Sequence, residues 1–272
     1  MTQRPKILQF TVLVLFALYA LVPVYLVILA SLRDESALFG SPISIPWPLN
    51  LQNYASVWID AAFSAYFLNS LKISGATTLI TLLVAPLAAF AFAKLNFPGR
   101  EVLFGMFLVG LVAPAPAIIV ALYGNLQNMG LLNSHPGVIL PQAAILLPFS
   151  IFMMRSFIQE TPSELMEAAY MDGASTFEVY WRVILPLSMP ALRSLGLIVF
   201  MFAWQEFLLP LVVLQDESLK PLTLGATAFQ GRYGVNYSGI AAAGVITFLP
   251  IVLLFLTLQR SFTQGLTAGA VK

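Results

Sequence analysis

Cysteine is absent from all 272 residues, which excludes disulfides, thiolate metal sites and a cysteine nucleophile. Histidine occurs once, at His135, so no histidine-rich metal site can be assembled. No glycine is followed by lysine, and the G-x-x-x-x-G-K-[ST] phosphate loop is therefore missing. No Ser/His/Asp set and no carboxylate pair points to hydrolysis. Charge is scarce: 13 Lys and Arg with 12 Asp and Glu make up 9 % of the chain, where a soluble domain carries about 25 %. The net charge of +1 gives no electrostatic attraction toward nucleic acid or an acidic partner.

What takes the place of charge is apolar surface, at 59 % of all residues. A helix needs about 20 apolar residues to cross the hydrocarbon core. Six stretches come close, at about 7–32, 67–93, 102–123, 136–156, 193–214 and 239–259. They predict an all-α integral membrane protein of six transmembrane helices, filling the chain as one transmembrane domain, 1–272. The first run is 26 residues long, too long for the 7–15-residue apolar region of a cleaved signal peptide. It reads as a retained first helix. Each span contains proline (Pro23, Pro86, Pro114 with Pro116, Pro141 with Pro148, Pro210, Pro250). Kinked helices either merely adapt their packing or line a cavity where freed backbone groups meet water or solute.

Basic residues set the orientation. With the amino terminus inside, nine basic residues are internal (Arg4, Lys6, Lys94, Arg100, Arg155, Arg182, Arg193, Arg260, Lys272) and four external (Arg33, Lys72, Lys220, Arg232). Both termini and the loop 157–190, between spans four and five, are thus expected on the cytoplasmic side.

That loop is a polar and semi-polar stretch between strongly apolar segments, where the chain can meet a soluble partner. Thr161-Pro162-Ser163-Glu164 reads as a capping box with proline at the first helical position. Gly173 supplies a left-handed turn residue. Ser175-Thr176-Phe177-Glu178 is a second capping box, opening a helix expected to stop near Pro186. Two short helices are unstable alone, so they need a surface to pack on. Phe177, Tyr180, Trp181 and Val183 offer one toward the membrane domain. Ala168 and Ala169 permit close approach of a partner, and Glu167 and Asp172 offer it charge. From the residues alone, a docking element and an interfacial loop with aromatics at the headgroups both remain open.

Glu167-Ala168-Ala169, then Gly173 four residues after Ala169, then Val183, Leu185 and Pro186 match the pattern E-A-A, three residues, Gly, nine residues, I-x-L-P, with valine at the isoleucine position. The loop resembles the cytoplasmic EAA loop of permease subunits of bacterial ATP-binding-cassette importers. Asp172-Gly173-Ala174, Pro190, Trp204-Gln205-Glu206-Phe207, Pro210-Leu211 and the terminal 265–272 resemble the carbohydrate-uptake, maltose-type branch; that branch usually has asparagine where Gln205 stands. The resemblance covers nearly the whole chain. It implies that the loop docks in a groove of an ATPase subunit, with Glu167 as charged anchor, Ala168 and Ala169 as contact surface, Asp172 beside them, Gly173 as the turn and Pro186 fixing the exit. It further implies a second homologous permease, two ATPases carrying ATP and Mg, and an extracytoplasmic sugar-binding protein, all at a bacterial inner membrane. No cofactor is expected in this chain itself.

Within the uncharged cores of the spans (7–32, 73–93, 102–123, 138–154, 194–214 and 240–259) Glu206 is the one formally charged residue, roughly 18 Å along span five at 1.5 Å per residue. A carboxylate there costs about 2.5–3.5 kcal/mol on insertion scales. It is read either as an anchor for a neighbouring Lys, Arg or amide, or as an acceptor of sugar hydroxyls with Trp204 and Gln205 beside it. Asn69, at the outer end of span two, is a further candidate for the path. Tyr233 and Tyr237 are candidate contacts to the binding protein. Rival readings are the same machinery for glycerol phosphate or a polyol, and an ion-coupled secondary transporter. The latter calls for several intramembrane ionisable groups or repeat halves.

Overall fold

The computed structural model describes residues 4–38, 40, 43–59, 63–112, 114–231 and 234–268. The chain is built from helices α1 (Arg4–Ser31), α2 (Gln52–Ile59), α3 (Phe63–Lys94), α4 (Arg100–Val112), α5 (Ala115–Asn128), α6 (Pro136–Gln159), α7 (Glu164–Met171), α8 (Thr176–Val179), α9 (Leu185–Leu187), α10 (Met189–Gln205), α11 (Leu208–Val213) and α12 (Leu222–Gly225). A two-residue antiparallel ladder, β1 (Gln230–Gly231) with β2 (Gly234–Val235), precedes the last helix, α13 (Tyr237–Ala268). Among the described residues four helices are long and apolar enough to cross a membrane: Ile7–Ser31, Phe63–Lys94, Pro136–Gln159 and Tyr237–Thr257. Among the described residues two further stretches, Arg100–Val112 with Pro116–Asn128 and Thr176–Leu187 with Met189–Gln205, pass only when each bent pair is taken as one span.

Proline decides where the expected third and fifth spans divide. Pro114 caps α5 and Pro116 lies in its first turn, where a missing N–H costs nothing. The stretch read as one helix from 102 to 123 is therefore two, α4 and α5. The fifth is likewise divided: α10 ends at Gln205, Glu206 is extended (φ −63°, ψ 126°), and α11 begins at Leu208. In an unbroken helix Pro210 would face the Glu206 carbonyl with no N–H to give it, and its ring would clash there.

One unit of the chain comprises 1–65 with 224–250. Here α1 is apolar and almost wholly exposed, only 6 % of its most apolar window being buried, as suits a helix whose solvent is lipid. Its carboxyl end is held: Ser31 Oγ meets Tyr54 Oη at 2.6 Å, and Asn53 donates to the carbonyls of Ser31 and Arg33, while Tyr25 Oη donates to the Ile43 carbonyl at 3.2 Å. Glu35 accepts the Ser238 N–H at 2.8 Å, securing the start of α13.

The other unit comprises 66–223 with 251–272. Its larger core joins Phe90 and Phe92 of α3, Ile151, Met154 and Ile158 of α6, and Leu195 and Val199 of α10 with Val179, Tyr180 and Ile184 of the loop between them. A second cluster gathers Ile73, Leu126, Val138, Leu209 and Val213 from α3, α5, α6 and α11. The buried hydroxyls of α3 cost little, because Ser74 and Thr81 donate to the carbonyls of Ser70 and Thr77 one turn back.

Candidate functional site

The loop after α6 starts differently from its expected form. Thr161 does not cap α7; the helix begins at Glu164 with Ser163 at the cap position and no side-chain capping bond. Thr161 is instead buried, and its carbonyl accepts a 2.6 Å bond from Lys94 Nζ, which also reaches the Gln159 carbonyl at 3.4 Å. A cation from α3 thus holds the Gln159 carbonyl at the end of α6 and the Thr161 carbonyl just beyond it. Beside it, Arg155 of α6 donates to both carboxylate oxygens of Glu101 (2.8 and 3.0 Å) and to the Phe92 carbonyl, and lies 3.8 Å over the Phe104 ring. The root of the loop is thereby tied to α3 and α4.

Beyond the root the expected turn is present. Gly173 has φ +85°. Its N–H donates to Tyr170 O, and the Ala174 N–H to Ala169 O, each at 3.0 Å. This is the paired 5→2 and 6→1 pattern of a Schellman cap. The second capping box is also formed: Ser175 Oγ accepts from Glu178 N at 3.3 Å, and Glu178 Oε2 accepts from Ser175 N at 3.0 Å. Those Ser175 bonds, then the Arg182 guanidinium at 3.5 Å, hold the Glu178 carboxyl below its ordinary pKa.

The helix begun at α8 ends one residue past Pro186, at Leu187, close to where it is expected to stop. A wide turn over Tyr180–Ile184 sends the Leu185 N–H to Tyr180 O, five residues back, and α9 then carries the chain through Pro186 to Leu187. Ordinary helical spacing would pair the Pro186 nitrogen with the Arg182 carbonyl, which proline cannot do; the wider turn relieves that position. The direction changes by 75° between Leu187 and Met189.

The result has two faces. Inward, Met166, Val179, Tyr180 and Ile184 are buried, with the Tyr180 ring 5.5 Å from Phe90. Outward stand Glu164, Glu167, Ala168, Met171, Asp172 and Gly173, while Ala169 is half-buried against the core. Phe177 and Trp181 remain exposed, so of the aromatic set only Tyr180 folds fully back. Met171, 88 % exposed, was not picked out by sequence reasoning; its position opposite buried Met166 on a short helix is the signal that could have found it.

The break in α10–α11 gives the second set. Trp204 is buried, stacked on Phe200 (centroids 5.6 Å) and edge-on to Phe67 (5.8 Å). Gln205 is exposed and Glu206 half-buried. Among the described residues Glu206 forms no ion pair; its Oε1 accepts the Leu209 N–H at 3.0 Å, and its carbonyl accepts Thr223 Oγ1 at 2.8 Å. Asn69 is buried and donates to the carbonyls of Ser218 (2.7 Å) and Lys220 (3.1 Å), which makes it a strut for the segment after α11. That segment is also held by Asn133, whose Oδ1 accepts from the amides of Gln215 and Asp216. Within it, bonds from Ser218 lower the Asp216 pKa, and bonds from Lys220 and then Tyr66 lower that of Glu217. Tyr237 opens α13 and is exposed; Tyr233 lies outside the described residues. No group of three His, Cys, Asp or Glu able to hold a metal exists among the described residues.

Residues 82–268 match the family described as binding-protein-dependent transport system inner membrane component. The chain is 32 % identical to the diacetylchitobiose uptake system permease protein of Streptomyces coelicolor, covering 99 % of this chain and 90 % of that one. It is 34 % identical to the trehalose/maltose transport system permease protein of Thermococcus litoralis, over 95 % and 94 %. The trehalose transport system permease protein of Mycobacterium tuberculosis is 33 % identical over 93 % of each. Among solved structures, a bacterial ABC transporter importing the acidic polysaccharide alginate aligns with a TM-score of 0.84 at 22 % identity, over 96 % of this chain and 99 % of that one. The same kind of transporter in complex with an alginate pentasaccharide-bound periplasmic protein aligns with a TM-score of 0.70 at 16 % identity, over 95 % and 96 %.

Proposed function

The chain belongs to the family of binding-protein-dependent transport system inner membrane components, and from that premise we propose that it is a permease subunit of an ATP-driven sugar importer. It is a transport subunit and not an enzyme. The observation that carries the reading is the two-faced helix pair after α6. Its inner face is buried in the core with α3, α6 and α10. Its outer face presents small and acidic side chains at Glu167, Ala168 and Asp172 around a Gly173 turn. An element so rooted transmits a push on its outer face to three long helices at once.

In this reading the chain has six spans, with α4–α5 and α10–α11 as broken ones, and both termini with the loop 157–190 are cytoplasmic. Glu167 pairs with a cation of an ATPase subunit, and Ala168 and Ala169 let its backbone approach. ATP and Mg reside in two such ATPases. Their closure moves the loop, and this chain with a second, homologous permease opens outward to receive sugar from an extracytoplasmic binding protein. Sugars are supported as the substrate class by relatives whose names specify diacetylchitobiose, trehalose/maltose and trehalose. A binding-protein partner is supported by the alginate transporter held with its periplasmic protein. Gln205 and Glu206 mark this chain's share of the path, with buried Trp204 packed behind them on Phe200 and Phe67, and Tyr237, with Tyr233, marks the approach of the binding protein.

Purification of the tagged chain from its native membrane in mild detergent, with mass spectrometry of its companions, tests this. A second permease and a P-loop ATPase in fixed ratio are expected. A chain that purifies alone and moves solute into vesicles without ATP would overturn the reading.

A further inference from the structure

Breaking a helix frees backbone groups that have to be satisfied inside an apolar environment. At the α10–α11 break three side chains from different elements take up such groups. Gln142 of α6 donates Nε2 to the Ala203 carbonyl at 3.1 Å. Thr223, in α12, donates to the Glu206 carbonyl at 2.8 Å, the acceptor that Pro210 leaves without a helical donor. Glu206 itself reaches forward to the Leu209 N–H, capping α11 with its own carboxylate. Gln142 is 4 % exposed, and its amide is oriented by a 3.1 Å bond from Thr77 Oγ1, itself fully buried on α3. The chain thus ties α3, α6 and α12 to one interruption of α10–α11.

We propose that Gln142 and Thr223 are positioning residues that hold this break open, and so fix where the Gln205 and Glu206 side chains stand for the solute. The inference rests on the proposed importer role for its transport consequence, though not for its geometry. Glu206 then serves as a cap with one carboxylate oxygen, leaving the other to face hydroxyl groups of a sugar. Gln142→Leu removes both amide bonds at similar volume. Thr223→Val removes the hydroxyl at nearly constant shape, and Thr223→Ser retains it.

The test uses the assembled complex in proteoliposomes with its binding protein. Apparent KM for sugar uptake is expected to rise at least fivefold in Gln142→Leu and Thr223→Val, with sugar-independent ATPase activity unchanged, and to return toward the parent in Thr223→Ser. A second arm needs no transport. The chain has no cysteine of its own, so spin labels at Arg193→Cys on α10 and Leu211→Cys on α11, both exposed, report the break, with label on companion subunits subtracted from an unsubstituted complex. The interlabel distance distribution is expected to broaden in Gln142→Leu and Thr223→Val. Unchanged KM with superimposable distributions overturns the proposal, and so does Thr223→Ser behaving like Thr223→Val. If Gln142→Leu does not assemble, the Thr223 pair decides. A parent complex without ATP-driven sugar uptake defeats the importer reading, while the distance arm still judges the break.

Discussion

Glu167→Lys abolishes most transport without unfolding the chain. Glu167 is exposed on α7, and among the described residues its side chain makes no hydrogen bond or ion pair, so the isolated subunit keeps its thermal midpoint in detergent. Its effect lies in docking. Placing a cation where a partner offers one removes a close charge pair and leaves the partner's charge opposed. Such changes at interfaces cost about 2–5 kcal/mol, equivalent to roughly a 30-fold or greater loss of docking. Sugar uptake by reconstituted complex falls accordingly, while the ATPase subunits still hydrolyse ATP. Uptake at the parent rate would refute the docking role of α7. Ser163→Lys, one turn earlier and also exposed, is the control for added positive charge.

Gly137→Ala has the opposite character: it attacks the fold and leaves the docking surface untouched. Gly137 lies in the first turn of α6, buried. A Cβ there would stand against the Leu131 carbonyl oxygen and 3.2 Å from Val213 Cγ1. The obstacle is backbone, in a turn fixed by Ser134, whose Oγ donates to that carbonyl at 2.7 Å and receives the Gly137 N–H at 3.3 Å. The start of α6 must therefore move, and with it Val138 in the second core cluster. Overpacking of this kind costs about 3 kcal/mol, read as a lowered thermal midpoint and poor yield of the complex. Gly75→Ala is the contrasting case. Nothing lies within 4 Å of its Cβ position in α3, and alanine there favours the helix by about 0.5–1 kcal/mol. Equal behaviour of the two variants would mean that the approach of Leu131 to Gly137 is not as described.

Local chemistry carried much of this protein openly in its sequence. Scarce charge and long apolar runs announce membrane helices, because burying ionised groups in lipid is costly and a helix of about 20 residues spans it. Gly173 announces its turn, since few other residues accept φ +85°. Ser175 and Glu178 announce their box, because the partners are three residues apart and need nothing else. What depended on distant residues stayed hidden. Thr161 looks like a cap, but Lys94, 67 positions away, claims its carbonyl. Pro210 signals a weakness in span five, yet whether the helix kinks or breaks is decided by Thr223 and Gln142 supplying the missing bonds. Glu206 reads either as an anchor for a Lys, Arg or amide or as an acceptor of sugar hydroxyls, and the bond it makes to the Leu209 N–H became visible only in the fold. The class, the apolar segments and the turn chemistry were legible locally, because each is set within a few residues. Only the tertiary structure decided which freed backbone group meets which side chain, because a hydrogen bond between residues 61 positions apart, as from Gln142 to Ala203, exists only once the helices have packed.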